Sequence, residues 1–282
     1  MKIGHYTVDH FETGDFALDG GAMFGVVPKP LWSKAYCKGD DLNRIDMTSR
    51  CLLIRGNGKT MLVDTGCGHK MNEKLQSIYR LDYSVKSIET SLAQFEVKPE
   101  DITDVILTHM HFDHVGGATR YSTSGELVPT FPNAKHHVQK EQMDWAENPT
   151  EKDRASFIKD NWNPLIANGM LHLIEGDGEL FPGIYVQQVY GHTQALQMVS
   201  IIGDDKHIVF PADLIPTAAH IPVPYVMGYD NFPLTSMKEK QELLSKAVEQ
   251  NWILCFEHDA FTKAGTIVKT DKGFALHERM EL

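Results

Sequence analysis

Cysteine is scarce in this chain: four residues among 282 (Cys37, Cys51, Cys67 and Cys255), none in a C-x-x-C pair. That excludes a disulfide framework and points to reduced thiols inside a cell. No apolar run approaches the ~18 residues needed to span a bilayer. The opening segment, Met1 to His10, has no apolar stretch of the secretory type, so the expectation is a cytoplasmic protein with no membrane partner. Positive charge is also short, with 27 Lys plus Arg against 38 Asp plus Glu and a net charge of −11. Nucleic-acid binders displace counterions with clustered cations, so no nucleic-acid partner is expected. Low-complexity segments, linkers and short-period repeats are missing. The length therefore reads as one domain, residues 1–282, because single cores grow to roughly 250–300 residues. There is no G-x-S-x-G, P-loop or dinucleotide fingerprint to supply a nucleophile or a phosphate cradle. What the chain has in quantity is histidine, 14 residues.

Strand and helix patterns alternate, which makes the class α/β. Residues 3–8 read as a first strand. Residues 12–36 place Gly14, Gly20, Gly21, Gly25, Pro28 and Pro30 between Phe16, Met23, Phe24 and Trp32, and read as a long, packed, functional loop. Apolar residues 51–54 and 60–63 flank Asn57-Gly58, a hairpin signal, and the second strand ends in Asp64-Thr65-Gly66. Val85, Ile88, Leu92 and Phe95 keep helical spacing, with Pro99 as the stop. Ser236 and Glu239 have capping-box spacing ahead of Leu243, Leu244, Ala247 and Val248. Short apolar strands are expected at 105–107, 184–189, 198–202, 208–210 and 253–256.

The strand 105–107 runs into Thr108-His109-Met110-His111-Phe112-Asp113-His114, four potential metal ligands within six residues. His192, Asp213 and His258 each follow an apolar strand in the same way, and strand packing could gather such residues at one sheet edge. The other histidines (5, 10, 69, 136, 137, 172, 207, 220 and 277) lack that placement, and most are expected at the surface. Five imidazoles and two carboxylates exceed what one four-coordinate zinc uses. Two ions with a shared bridge would use them all. Nitrogen and oxygen ligands without thiolate favour zinc, and iron, manganese or cobalt also fit. Such a pair acidifies bound water, giving a hydroxide nucleophile at neutral pH without Ser or Cys.

This H-x-H-x-D-H run, with Asp64-Thr65-Gly66 before it and His192, Asp213 and His258 after it in order, resembles the metallo-β-lactamase superfamily over most of the chain. The resemblance implies a four-layer αβ/βα sandwich, two facing mixed sheets flanked by helices, with metals at one edge. It implies His109, His111 and His192 on a first ion, Asp113, His114 and His258 on a second, Asp213 bridging, and Asp64 orienting the ligands from behind. Departures narrow the branch. The commonest zinc β-lactamases place Cys where Asp213 stands. The flavin-linked diiron members have Glu at the position of His111 and carry an extra flavodoxin domain.

The stretches Asp19–Pro28 and Ala212–Asp230 are similar to quorum-quenching lactonase-like members. The implied activity is a dinuclear hydrolase whose metal-bridging hydroxide opens a lactone of the acyl-homoserine type, with Asp113 as a candidate to protonate the leaving alkoxide. The partner would be a small-molecule ester or lactone, and a homodimer is compatible with the sequence. Alternatives within the same fold are a glyoxalase II-like thioesterase, an organophosphate-cleaving phosphoester hydrolase, and a mononuclear iron persulfide dioxygenase. For the first of these the C-terminal Lys263, Lys269, Lys272 and Arg279 give weak support. Pro216, Pro222, Pro224 and Pro233 forbid a continuous helix or central strand across 214–233. That loop and residues 16–32 are expected to form an apolar acyl pocket with Phe24 in its wall and His220 or Tyr229 as a polar contact.

Overall fold

The computed structural model describes residues 1–84 and 86–282. The chain divides into two compact units, one formed by Met1–Phe16 with Ser49–Gly176 and the other by Ala17–Thr48 with Asp177–Leu282. Each is organised on its own seven-stranded sheet.

Strands of the first sheet are β1 (Lys2–Ile3), β2 (Tyr6–Asp19), β3 (Arg44–Gly56), β4 (Lys59–Val63) and β5 (Asp104–Ile106). After a two-stranded ribbon of β6 (Thr119–Tyr121) and β7 (Leu127–Pro129) come β8 (Lys135–Gln139) and β9 (Leu171–Ile174). The sheet order is β1-β2-β3-β4-β5-β8-β9, antiparallel for β1/β2 and β3/β4 and parallel from β4 to β9. Asn57 and Gly58 make the expected two-residue turn: both have positive φ, 50° and 72°, and Gly56 pairs with Lys59. Primed turns of this kind match the twist of the strands they join. A core of Phe11, Leu53, Leu62, Leu92, Val105, Leu107, Phe131, Val138 and Trp162 lies within this unit.

The second sheet contains β10 (Gly178–Phe181), β11 (Ile184–Val189), β12 (Leu196–Ile202), β13 (His207–Phe210), β14 (Ile253–Cys255), β15 (Ala264–Thr270) and β16 (Gly273–Met280), in that order. Only β13/β14 is parallel. The crossover between them contains the helix Pro233–Glu249, which buries Leu243, Leu244 and Ala247 and packs on β15. Along β11, Ile184 and Val186 are buried while Tyr185 and Gln187 face outward, the period-2 pattern of a strand with one covered face, which ends at half-buried Gln188 and buried Val189.

Several local expectations are corrected. Residues 3–8 hold a hairpin, because Gly4 takes a left-handed φ of 52° and turns the chain between Ile3 and Tyr6. Much of 12–36 is regular: β2 continues to Asp19 with Phe11, Thr13 and Phe16 buried, and short helices Gly20–Phe24 and Lys29–Ala35 follow. Of the helical run at 85–95, Val85 lies outside the described residues, and the helix covers only Ile88–Ala93, capped by Ser87 and Thr90. Ser236 is no N-cap; the helix begins at Pro233 and Ser236 is inside its first turn. His136, His137 and His220 are buried, not superficial. Residues 214–233 form no continuous helix or strand. Among the described residues no helix is long and apolar enough to cross a membrane, and all four cysteines are free thiols.

Candidate functional site

In the first unit, β5 delivers Thr108 through His114 to its C-terminal end, and His109, His111, Asp113 and His114 are all buried. Asp64 ends the neighbouring β4 with a φ of 59°, a conformation that costs a non-glycine residue of order 1–3 kcal/mol and clusters at functional sites. Its carboxylate accepts from the Thr108 amide at 2.7 Å and from the Thr108 hydroxyl at 2.6 Å. It also faces His114 Nδ1 at 3.0 Å. His114 therefore donates through Nδ1 and turns Nε2 towards Asp113 Oδ1, 3.8 Å away, the usual way a carboxylate fixes the tautomer of a ligating histidine. Thr108 does the same for His109: its hydroxyl hydrogen is committed to the bond it donates to Asp64, so its oxygen accepts from His109 Nδ1 at 3.1 Å. His109 Nε2 then converges with His111 Nδ1 at 3.0 Å. Two nitrogens each about 2.0–2.1 Å from one tetrahedral ion would lie ~3.3 Å apart, so this spacing suits a shared metal.

After the motif, Gly116 and Gly117 pass so close to the carbonyls of Cys67 and Thr65 that a Cβ at either position would collide with backbone. Thr65 N donates to His114 O at 2.8 Å, and Lys70 Nζ donates to the carbonyls of Gly116 and Thr119. The metal-ligand loop is thus braced by the Asp64–Lys70 segment.

In the second unit, His192 follows β11, Asp213 follows β13 on a 3-10 turn Ala212–Leu214, and His258 follows β14. All three are buried. Ala212, with φ 47°, carries the strain of turning Asp213 inward. His258 Nδ1 lies 3.0 Å from the carbonyl of Thr48, a pure acceptor, so Nδ1 bears the proton. His192 Nδ1 lies 3.0 Å from Asp230 Oδ1 and is fixed in the same way. Both Nε2 lone pairs then face Asp213: His192 at 3.2 Å from Oδ2 and His258 at 3.1 Å from Oδ1. A carboxylate oxygen set against an imidazole lone pair is repulsive unless positive charge lies between them. Asp213 has that arrangement twice, one oxygen for each histidine, as a carboxylate shared by two cations would. The donor set of each unit thus fits divalent metal ions.

The His192 loop is held by the helix that follows it in the chain. Glu239 accepts from the amides of Tyr190 at 2.7 Å and Gly191 at 3.0 Å. Glu239 has therefore taken its carboxylate to another loop and left the expected capping role. Lys240, buried, donates to the carbonyls of Pro222, Val223 and Tyr225, pinning the proline-rich segment. Asp259 accepts from the amides of Ala218, Phe261 and Thr262. Asp230, Thr108 and the Thr48 carbonyl were not singled out from sequence as site residues, and Glu239 was read only as a cap. Only Thr108 had a local signal, adjacency to His109.

Phe24 and His220 are brought together. Phe24 is fully buried, stacked on Trp32 at 5.6 Å and on the His220 ring at 4.5 Å. Both His220 nitrogens are engaged, Nδ1 with the Thr217 hydroxyl at 2.7 Å and Nε2 with the Met23 carbonyl at 2.8 Å. Burial pushes the His220 imidazole down to about 4, so it is neutral near pH 7. Tyr229 is partly exposed, at 37%.

The fold and these two donor sets define a class, and comparison with known proteins gives the same one. Residues 45–258 match the family model of the metallo-beta-lactamase superfamily, and the chain belongs to that superfamily. It is 25% identical over 237 residues to an N-acyl homoserine lactonase of Bacillus cereus, covering 79% of this chain and 86% of the relative. A crystal structure of a probable metal-dependent hydrolase from Staphylococcus aureus superposes with a TM-score of 0.87 at 31% identity, covering 99% of this chain and 100% of the other. AidC, a dizinc quorum-quenching lactonase, superposes with a TM-score of 0.82 at 20% identity, covering 100% and 97%. The α/β fold expected from sequence, that of the metallo-β-lactamases, is the fold found.

Proposed function

We propose that the chain, acting as one hydrolase domain over residues 1–282, is a dinuclear-metal lactonase. In this reading His109, His111 and His192 would hold one divalent ion, Asp113, His114 and His258 the other, and Asp213 would serve both. Zinc is the preferred metal, on the nitrogen and oxygen donor set. The observation that carries the reading is Asp213, whose two oxygens each face the lone pair of a different histidine. When bound, the metal pair supplies a water acidic enough to act as nucleophile at neutral pH and polarises the substrate carbonyl.

The remaining work falls to the protein. Asp64, Asp230 and the Thr48 carbonyl hold three histidines in the ligating tautomer. Asp113 would take the proton released by the attacking water and deliver it to the leaving alkoxide as the ring opens. Phe24 and His220, locked in their stack, stiffen the wall of an acyl pocket, and Tyr229 presents its ring to the substrate. An ester with no charge to neutralise suits a chain of net charge −11. The relatives named N-acyl homoserine lactonase favour a lactone over a thioester or phosphoester.

The test is a panel on the metal-loaded protein: acyl-homoserine lactones of several chain lengths, a glutathione thioester, a phosphotriester and a persulfide. The expected result is lactone opening with the highest kcat/KM of the panel. Turnover confined to the thioester or phosphotriester would replace the lactonase reading with one of its relatives, and oxygen-dependent persulfide turnover would remove hydrolysis altogether.

A further inference from the structure

The first unit contains a cavity of about 210 Å³ that the proposed chemistry does not use. It is smaller than the roughly 300–1,000 Å³ of sites for drug-sized ligands and large enough for several waters at about 30 Å³ each. Thr13, Lys70, Glu89, Arg120 and Thr130 are among its walls. Lys70 gives two of its three ammonium hydrogens to the carbonyls of Gly116 and Thr119, which leaves one donor. Arg120 makes no ion pair among the described residues, and its guanidinium brings five donors. The Thr130 hydroxyl is the most telling group: the residue is 1% exposed, and its oxygen has no hydrogen-bond partner. A buried hydroxyl without a partner costs about 1–3 kcal/mol, so something polar is expected to meet it. Thr13, by contrast, already donates to Ser49 O. Against these two cations stand two carboxylates, Glu89 in the wall and Asp160, whose charge reaches Lys70.

We propose that this pocket binds a compact oxyanion, namely inorganic phosphate or the phosphate of a small metabolite. Lysine, arginine and a hydroxyl are the donors such a group takes, and charge-assisted bonds to them are the strong ones. Burial has pushed the Lys70 ammonium down to about 8, and a neighbouring anion keeps it charged. Thr65 and Gly117 also line the pocket, and the same segments brace the loop carrying His109 to His114. Occupancy would therefore tighten that loop from outside its ligand set. This inference does not depend on the lactonase reading.

The experiment is calorimetric titration of the metal-loaded protein with inorganic phosphate and, separately, glycerol phosphate, at constant ionic strength set with chloride. Wild type is compared with Arg120→Ala and Glu89→Gln, two exposed side chains whose replacement leaves the fold intact. The expected result is one saturable phosphate site, weakened about tenfold or more in Arg120→Ala and tightened several-fold in Glu89→Gln. Tighter binding of the ester than of free phosphate identifies a metabolite as the ligand, and the reverse identifies the free ion. No saturable binding, or binding equal in all three proteins as expected for phosphate held elsewhere, overturns the proposal.

Discussion

At the scale of single residues, metal binding depends on which nitrogen of each histidine carries the proton. Asp230 sets this for His192 across 38 positions of sequence and a 3.0 Å contact. Asp230→Ala is predicted to weaken metal affinity by about 10- to 100-fold, as loss of an orienting carboxylate typically does. Competition with a chelator measures it, and an unchanged affinity would mean that His192 is oriented by something else. The proposed ligands stood out in the sequence because H-x-H-x-D-H is local and the other three candidates each follow a strand. Their orienting partners did not, since an Asp in a proline-rich loop or a backbone carbonyl at Thr48 has no sequence mark.

His136 belongs to the same scale. Buried in β8 and next to His137, its imidazole is pushed down to about 4 by desolvation and by that neighbour. Unfolded, it would titrate near 6.5. Between these values the unfolded chain binds the extra proton, so the stabilisation is complete above about pH 6.5 and is lost as pH falls towards 4. The contribution lost between pH 7 and pH 4.5 is about 2–2.5 kcal/mol, from the two pKa values and 1.36 kcal/mol per unit. Urea titrations of wild type and His136→Leu at both pH values test this: the difference between pH 7 and 4.5 should shrink in the variant. An equal pH dependence would show that His136 is not the proton acceptor.

At the scale of elements, alternation and turn chemistry predicted well where one face of a strand is covered, as in β11, and where Asn57-Gly58 closes a hairpin. They failed where tertiary contact overrode local signals. Glu239 reads as a capping residue, yet it is occupied by the amides before His192, and Pro233 starts the helix instead. Glu239→Ala leaves two amides without their acceptor and is predicted to cost about 1–3 kcal/mol, with kcat falling along with stability. Glu239→Gln, retaining one carbonyl oxygen, should recover part of both. Thermal melts and kcat for the two variants decide it; a Gln variant no better than Ala would refute a hydrogen-bonding role. The stack around Phe24 gives a second expectation. Phe24→Ala removes a fully buried ring and should destabilise by about 3–5 kcal/mol. Phe24→Leu, which keeps most of the volume, should retain the fold and lose chain-length preference among lactones.

At the scale of the whole molecule, each unit presents its own set of buried donors, His109 to His114 in the first and His192, Asp213 and His258 in the second. Sequence order showed which residues to suspect. Two sheets were implied by the resemblance, but the point at which the chain crosses from one to the other was not legible, because Gly and Pro between 12 and 36 obscured the continuation of β2 to Asp19.

The most direct test of the central claim is the metal content of the purified protein by elemental analysis, with wild type compared with Asp213→Ala. Two divalent ions per chain in wild type and the loss of at least one in the variant are the predicted results, because one carboxylate serves both cations. A single iron per chain in wild type, or an Asp213→Ala protein that keeps two ions and full turnover, would contradict a dinuclear centre held by Asp213.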